Sequence, residues 1–135
     1  MVDYAIHLCP DAELDASIRQ KLQPEPAKSQ SINQTMYSYL RQRPIAISIE
    51  TKTADAAEST ARVQLAIWVA AHFARLRKLS PSKMLPTLPL LYVAGSDWFL
   101  LFAVASADGE VVSSPTFLAP FCDTDVLGHR NCLVN

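Results

Sequence analysis

A chain of 135 residues, half of them hydrophobic and 19% charged, can bury one core and is too apolar for a disordered polypeptide. Its net charge of −1 leaves no cationic excess of the kind that a broad nucleic-acid footprint carries. Three cysteines, Cys9, Cys122 and Cys132, with no C-x-x-C, argue against a disulfide framework and a zinc knuckle.

In chain order, "VDYAIHL" over 2–8 alternates as a strand, with Val2, Tyr4, Ile6 and Leu8 on one face and Asp3, Ala5 and His7 on the other. Pro10-Asp11 opens a helix predicted to run to about Leu22. Asp11 and Glu13 lie in its first turn and Arg19 and Lys21 near its end, as the helix dipole prefers. The stretch over 23–43, with "QPEPAKSQSINQT", holds two prolines and many small polar residues and reads as a loop. A loop that long inside a compact domain is functional or disordered.

Pro44 precedes a strand over 45–52. Ile45, Ile47 and Ile49 point one way, and Ala46, Ser48, Glu50 and Lys52 the other. A long helix follows from about Ala56 to Leu79, with "RLRK" suiting its negative end. After the proline-broken "SPSKMLPTLP", strands over 90–94 and 98–105 flank a tight "GSD" turn, a hairpin signal. A turn at Ala107-Asp108-Gly109 leads to a short strand near Val111-Val112, and the tail over 115–135 has no clear period.

This order predicts one α/β or α+β domain over 1–135, with a mixed central sheet covered by the long helix. The longest apolar run, Leu88 to Ala94, is too short to span a bilayer, and no basic leader precedes it. The expectation is a soluble intracellular protein, cytoplasmic or nuclear, with no membrane partner.

Glu50 and Lys52 concentrate the chemistry. Alternation puts them on one face, about 6 to 7 Å apart at the backbone. A carboxylate there can hold a hard cation, since Mg²⁺ takes only one or two protein carboxylates. The ammonium beside it can orient water or stabilise charge on a phosphate. Such a site needs a second carboxylate from another strand, and Asp3 is the natural candidate.

An Asp opening one strand and a hydrophobic strand closing in Glu-x-Lys resembles the PD-(D/E)XK nuclease superfamily. Gln64-Leu-Ala-Ile-Trp68 resembles the Gln-x-x-x-aromatic element of its exonuclease branches. "MVDYAIHL", "SINQT", "LRQRPIAISIETK", "VQLAIWVAAHFARLRKL" and "LPTLPLLYVAGSDWFLLFAV" look like the nuclease-like domain proteins of filamentous fungi over most of residues 1–105. The resemblance implies a restriction-endonuclease-like fold. It assigns Asp3 and Glu50 as metal-binding acids for Mg²⁺ or Mn²⁺, Lys52 as the catalytic lysine and Gln64 as an accessory glutamine. It also implies a shortened domain lacking the N-terminal helix and strand, whose exposed sheet edge a second copy would cover as a homodimer.

Several further residues are candidates for substrate contact: His7, which shares the face of Asp3, and Trp68, His72 and Arg75 on the long helix. Each also has a plain packing or surface reading. Arg41, Arg43, Arg75, Arg77 and Lys78 form a candidate phosphate-binding rim. The leading function is metal-dependent phosphodiester hydrolysis on a nucleic acid or small phosphorylated substrate. One alternative is a repurposed fungal secondary-metabolism enzyme that takes a small apolar molecule and uses Glu50, Lys52 or a histidine as acid–base groups. The other is a non-catalytic binding or assembly module.

Overall fold

The computed structural model of the chain describes residues 2–53, 58–105, 111–114, 123–124 and 130–131. Strand β1 (Tyr4–His7) leads into helix α1 (Ala12–Leu22), followed by β2 (Ile45–Lys52), helix α2 (Glu58–Leu79), β3 (Leu88–Ala94), β4 (Asp97–Ala105) and β5 (Val111–Ser114). Two-residue strands β6 (Asp123–Thr124) and β7 (Arg130–Asn131) pair with each other. The expected turn over 107–109 and most of the tail lie outside the described residues.

The main sheet has the order β1-β2-β3-β4-β5. β2 and β3 are parallel and the other pairs antiparallel, so α2 is the crossover that parallel pairing demands. The mixed sheet with a long covering helix matches the sequence expectation. The expected loss of an N-terminal helix and strand is overturned: β1 and α1 are both present, and β1 occupies the sheet edge beside β2. The homodimer expectation, which was built on a missing strand, loses that ground.

Local chemistry explains the element ends. Asp11 caps α1 by accepting from the Leu14 amide at 2.8 Å, which satisfies one orphan donor of the first turn. Gly95 has φ 60 in the two-residue β3–β4 connection, and no other described residue has positive φ. That combination is the II′ hairpin turn, which needs glycine in its first loop position. β3 starts two residues earlier than expected and includes Pro89, which precedes the first residue paired with β2, Leu90. Proline is tolerated where no ladder donor is required on that side.

The core lies between α2 and one sheet face, where Leu65, Val69 and Phe73 pack with Leu90, Tyr92 and Leu101. A second cluster joins Ile18 and Leu22 of α1 to Leu79 at the end of α2. In β2, the more deeply buried face holds Ser48 and Glu50, while Ile47 and Ile49 are only half-buried. The isoleucines share the opposite sheet face with Tyr4 and Ile6, which are exposed.

Candidate functional site

Antiparallel pairing brings the start of the chain to the end of β2. Tyr4 pairs with Ile49, so Asp3, one step earlier, comes level with Glu50 and Thr51. The Asp3 Oδ2 atom accepts from the Thr51 amide at 2.9 Å and from the Thr51 hydroxyl at 2.8 Å. These two hydrogen bonds hold the Asp3 carboxyl below its ordinary range, with a smaller contribution from the Lys52 charge.

Glu50 is 1% exposed. Its Oε1 accepts from Lys52 Nζ in a part-buried ion pair. Its Oε2 is buried and has no hydrogen-bond partner. The bond to Glu50 raises the Lys52 ammonium above its ordinary value, and Asp3 and Tyr92 reinforce it from nearby. Tyr92, the β3 partner of Glu50, stacks on Phe99 with centroids 5.5 Å apart and backs the charged corner with aromatic surface.

Helix α2 is fixed across β2 by the Trp68 indole, which donates to the Ser48 hydroxyl at 2.9 Å. Arg75, two turns on, donates to the Ser31 carbonyl beside the loop that meets the start of β2. The helix therefore runs back along the strand. One helical turn from Trp68 to Gln64 covers about 6 Å, and two strand residues from Ser48 to Glu50 cover about 7 Å. Gln64 lies one helical turn before Trp68 on α2, and its Oε1 is also buried without a partner.

The end of β2 thus carries the Glu50–Lys52 ion pair, with Asp3 bonded to the intervening Thr51 and Glu50 Oε2 left without a protein donor. Among the described residues, no group of three or more His, Cys, Asp or Glu side chains converges as a metal site. An all-oxygen donor set with two carboxylates suits a hard cation that retains water, and it does not suit zinc.

The remaining sequence candidates fall elsewhere. His7 pairs with Ile45 at the far end of β1 and lies edge-on to Tyr39, with ring centroids 5.3 Å apart. Trp68 is the helix anchor just described. His72 is 4% exposed, and burial pushes it down to about 4. Arg75 ties α2 to the 23–44 loop: its guanidinium donates to the Ser29 and Ser31 carbonyls and pairs with Glu25 at 2.9 Å. Lys78 shares Glu25 at 2.7 Å. Arg75 and Lys78 are thus engaged in ion pairs on the protein itself.

Sequence reasoning passed over Thr51, whose amide and hydroxyl bind Asp3, and Ser48, which anchors Trp68. For Thr51 the only signal was a hydroxyl residue between Glu50 and Lys52.

The sequence model of the PD-(D/E)XK nuclease superfamily matches residues 1–129. No curated protein and no solved structure matches the chain.

Proposed function

This chain belongs to the PD-(D/E)XK nuclease superfamily, and we propose that it hydrolyses phosphodiesters with a divalent cation, Mg²⁺ or Mn²⁺, held by Asp3 and Glu50. The observation that carries the reading is the bonding of Asp3 to Thr51, between Glu50 and Lys52 and far along the chain. The buried, unpartnered Glu50 Oε2 supports it as a vacant acceptor beside that junction.

When bound, the cation supplies Lewis-acid charge to a phosphoryl oxygen. Lys52, held as an ammonium by Glu50, stabilises negative charge developing on the phosphate. It does so as a cation and hydrogen-bond donor at neutral pH. Gln64, through its unpartnered Oε1, accepts from and orients the attacking water. Thr51 holds Asp3 ionised and fixed in place. Within the superfamily we group the chain with the nuclease-like proteins of filamentous fungi, on the likeness of "LRQRPIAISIETK" and "VQLAIWVAAHFARLRKL".

The test is cleavage of labelled single-stranded DNA, RNA and a chromogenic phosphodiester with Mn²⁺ or Mg²⁺, against a chelator control. Divalent-dependent cleavage is expected, falling about 100-fold or more in Glu50→Gln and in Lys52→Met. Absence of cleavage, together with no heat of Mn²⁺ binding in calorimetry, would reject the proposal.

A further inference from the structure

The main sheet has two faces, and α2 covers the one that carries Leu90, Tyr92 and Leu101. On the other face, the register sets Tyr4, Ile49, Leu91 and Leu100 side by side in one row across β1, β2, β3 and β4. Ile6 and Ile47 extend the face on one side of that row, and Phe102 and Val104 continue it along β4. No outward position of these four strands is charged. Among the described residues neither helix packs here: α1 meets Leu79 at the end of α2 instead.

Composition and exposure conflict on this face. A sheet face that meets water alternates polar with apolar residues, whereas a strand covered on both sides is apolar throughout. The β4 sequence "DWFLLFAVA" is apolar on both faces after its first residue. Yet Tyr4 is 65% exposed, Ile6 48%, and Trp98 and Val104 47% each. With the half-buried residues between them, these side chains expose roughly 700 Å², above the largest patch of an ordinary monomer at about 300–600 Å². A stable interface covers about 800 Å² on each partner.

The width of the face selects its occupant. Four strands span about 15 to 20 Å. A single helix is about 10–12 Å across and leaves part of that width open. A second sheet of the same width covers it, and at a net charge of −1 per chain little repulsion opposes two copies. We propose that the chain forms a twofold homodimer in which the open β1–β4 faces of two copies stack, burying Tyr4, Ile6, Trp98 and Val104. Stacked sheets lie about 10 Å apart, and twofold packing is self-complementary, so each copy covers the whole face of the other. The contact is made by the face of the sheet, not by pairing along the β1 edge. The dimer does not depend on the phosphodiesterase reading.

The experiment pairs sedimentation equilibrium with hydroxyl-radical labelling. At about 100 μM the wild-type chain should sediment at twice its chain mass, as a micromolar or tighter dimer does. Val104→Lys changes a solvent-facing residue of β4, far across the sheet from the β1 edge, and puts a charge into the apolar contact. It should weaken the dimer at least about 30-fold, with unchanged circular dichroism. Labelling reads the face in the wild type without any substitution. Tyr4 and Tyr37 are 65% and 64% exposed in the single chain. In the dimer Tyr4 should label at least about threefold less than Tyr37, which lies off the sheet. If Val104→Lys fails to fold, this ratio decides alone. A single-chain mass at about 100 μM overturns the proposal, including where the face captures a phosphatidylcholine vesicle instead. A double mass with Tyr4 and Tyr37 labelled alike overturns it, because the copies then meet elsewhere. A folded Val104→Lys variant that dimerises like the wild type also overturns it, because the contact then lies along the β1 edge.

Discussion

Burial alone sets the protonation of His72, which has its pKa pushed from 6.5 to about 4. The unfolded chain therefore takes up a proton near pH 6.5 that the folded chain refuses until about pH 4. Its contribution to stability is complete above pH 6.5 and is lost as pH falls toward about 4, by up to about 3 kcal/mol. Urea denaturation at pH 7.5 and 4.5 should show this loss in the wild type, with a clearly smaller drop in His72→Gln. Asp3 titrates in a different window. Its pKa is lowered by the Thr51 hydrogen bonds, so its contribution is present above about 3.8 and is lost as pH falls through the depressed value. Thr51→Val deletes the hydroxyl bond but keeps the amide bond. The Asp3 carboxyl should then titrate closer to its ordinary value, read by NMR of its side-chain carbon. Neither behaviour can be read from spacing, because it depends on what surrounds each group after folding.

At the scale of elements, the 23–44 segment is where composition misleads most. Its prolines and polar residues suggest a loose loop, yet it is bonded at both ends. The Asn33 side chain donates to the Leu40 and Arg43 carbonyls and accepts from the Ile45 amide, which seats the loop on the start of β2. Arg75 seats the other part on α2. Asn33→Ala strips several buried backbone groups of partners and should cost about 2 to 4 kcal/mol in chemical denaturation. Arg75→Met leaves Glu25 to Lys78 alone, and faster amide exchange over residues 29–41 is the expected result. In β2, periodicity correctly separated the isoleucines from Ser48, Glu50 and Lys52. It did not indicate that the polar set faces α2. The helix settles that: Trp68 supplies a donor for Ser48, and Glu50, the register partner of Tyr92, is 1% exposed.

At the scale of the whole molecule, the proposed cation site ties ligand binding to folding. The corner exists only when β1 lies on β2, so a ligand held by Asp3 and Glu50 favours the folded state by mass action. At about 100 times its dissociation constant, a divalent cation should stabilise the chain by about 2.7 kcal/mol. A thermal melt rising with Mn²⁺ in the wild type and flat in Glu50→Gln is the expected pattern. No helix among the described residues is long and apolar enough to cross a membrane.

The sequence by itself determined the order of the strands and α-helices from β1 through β5, while the two 3-10 turns at Ala27–Ser29 and Ser38–Leu40 went unread inside the expected loop. Alternation, helical spacing and turn residues act between near neighbours and need no knowledge of the rest of the chain. Through resemblance to a family whose model spans residues 1–129, it also pointed to Asp3, Glu50, Lys52 and Gln64 as candidates. Only the tertiary structure decided where they stand. The pairing of Tyr4 with Ile49 brings Asp3 to Thr51, and the Trp68–Ser48 bond anchors α2 on β2. Contacts between residues so far apart in sequence depend on sheet register and helix placement. Those are set by packing of the whole core, which no local period records.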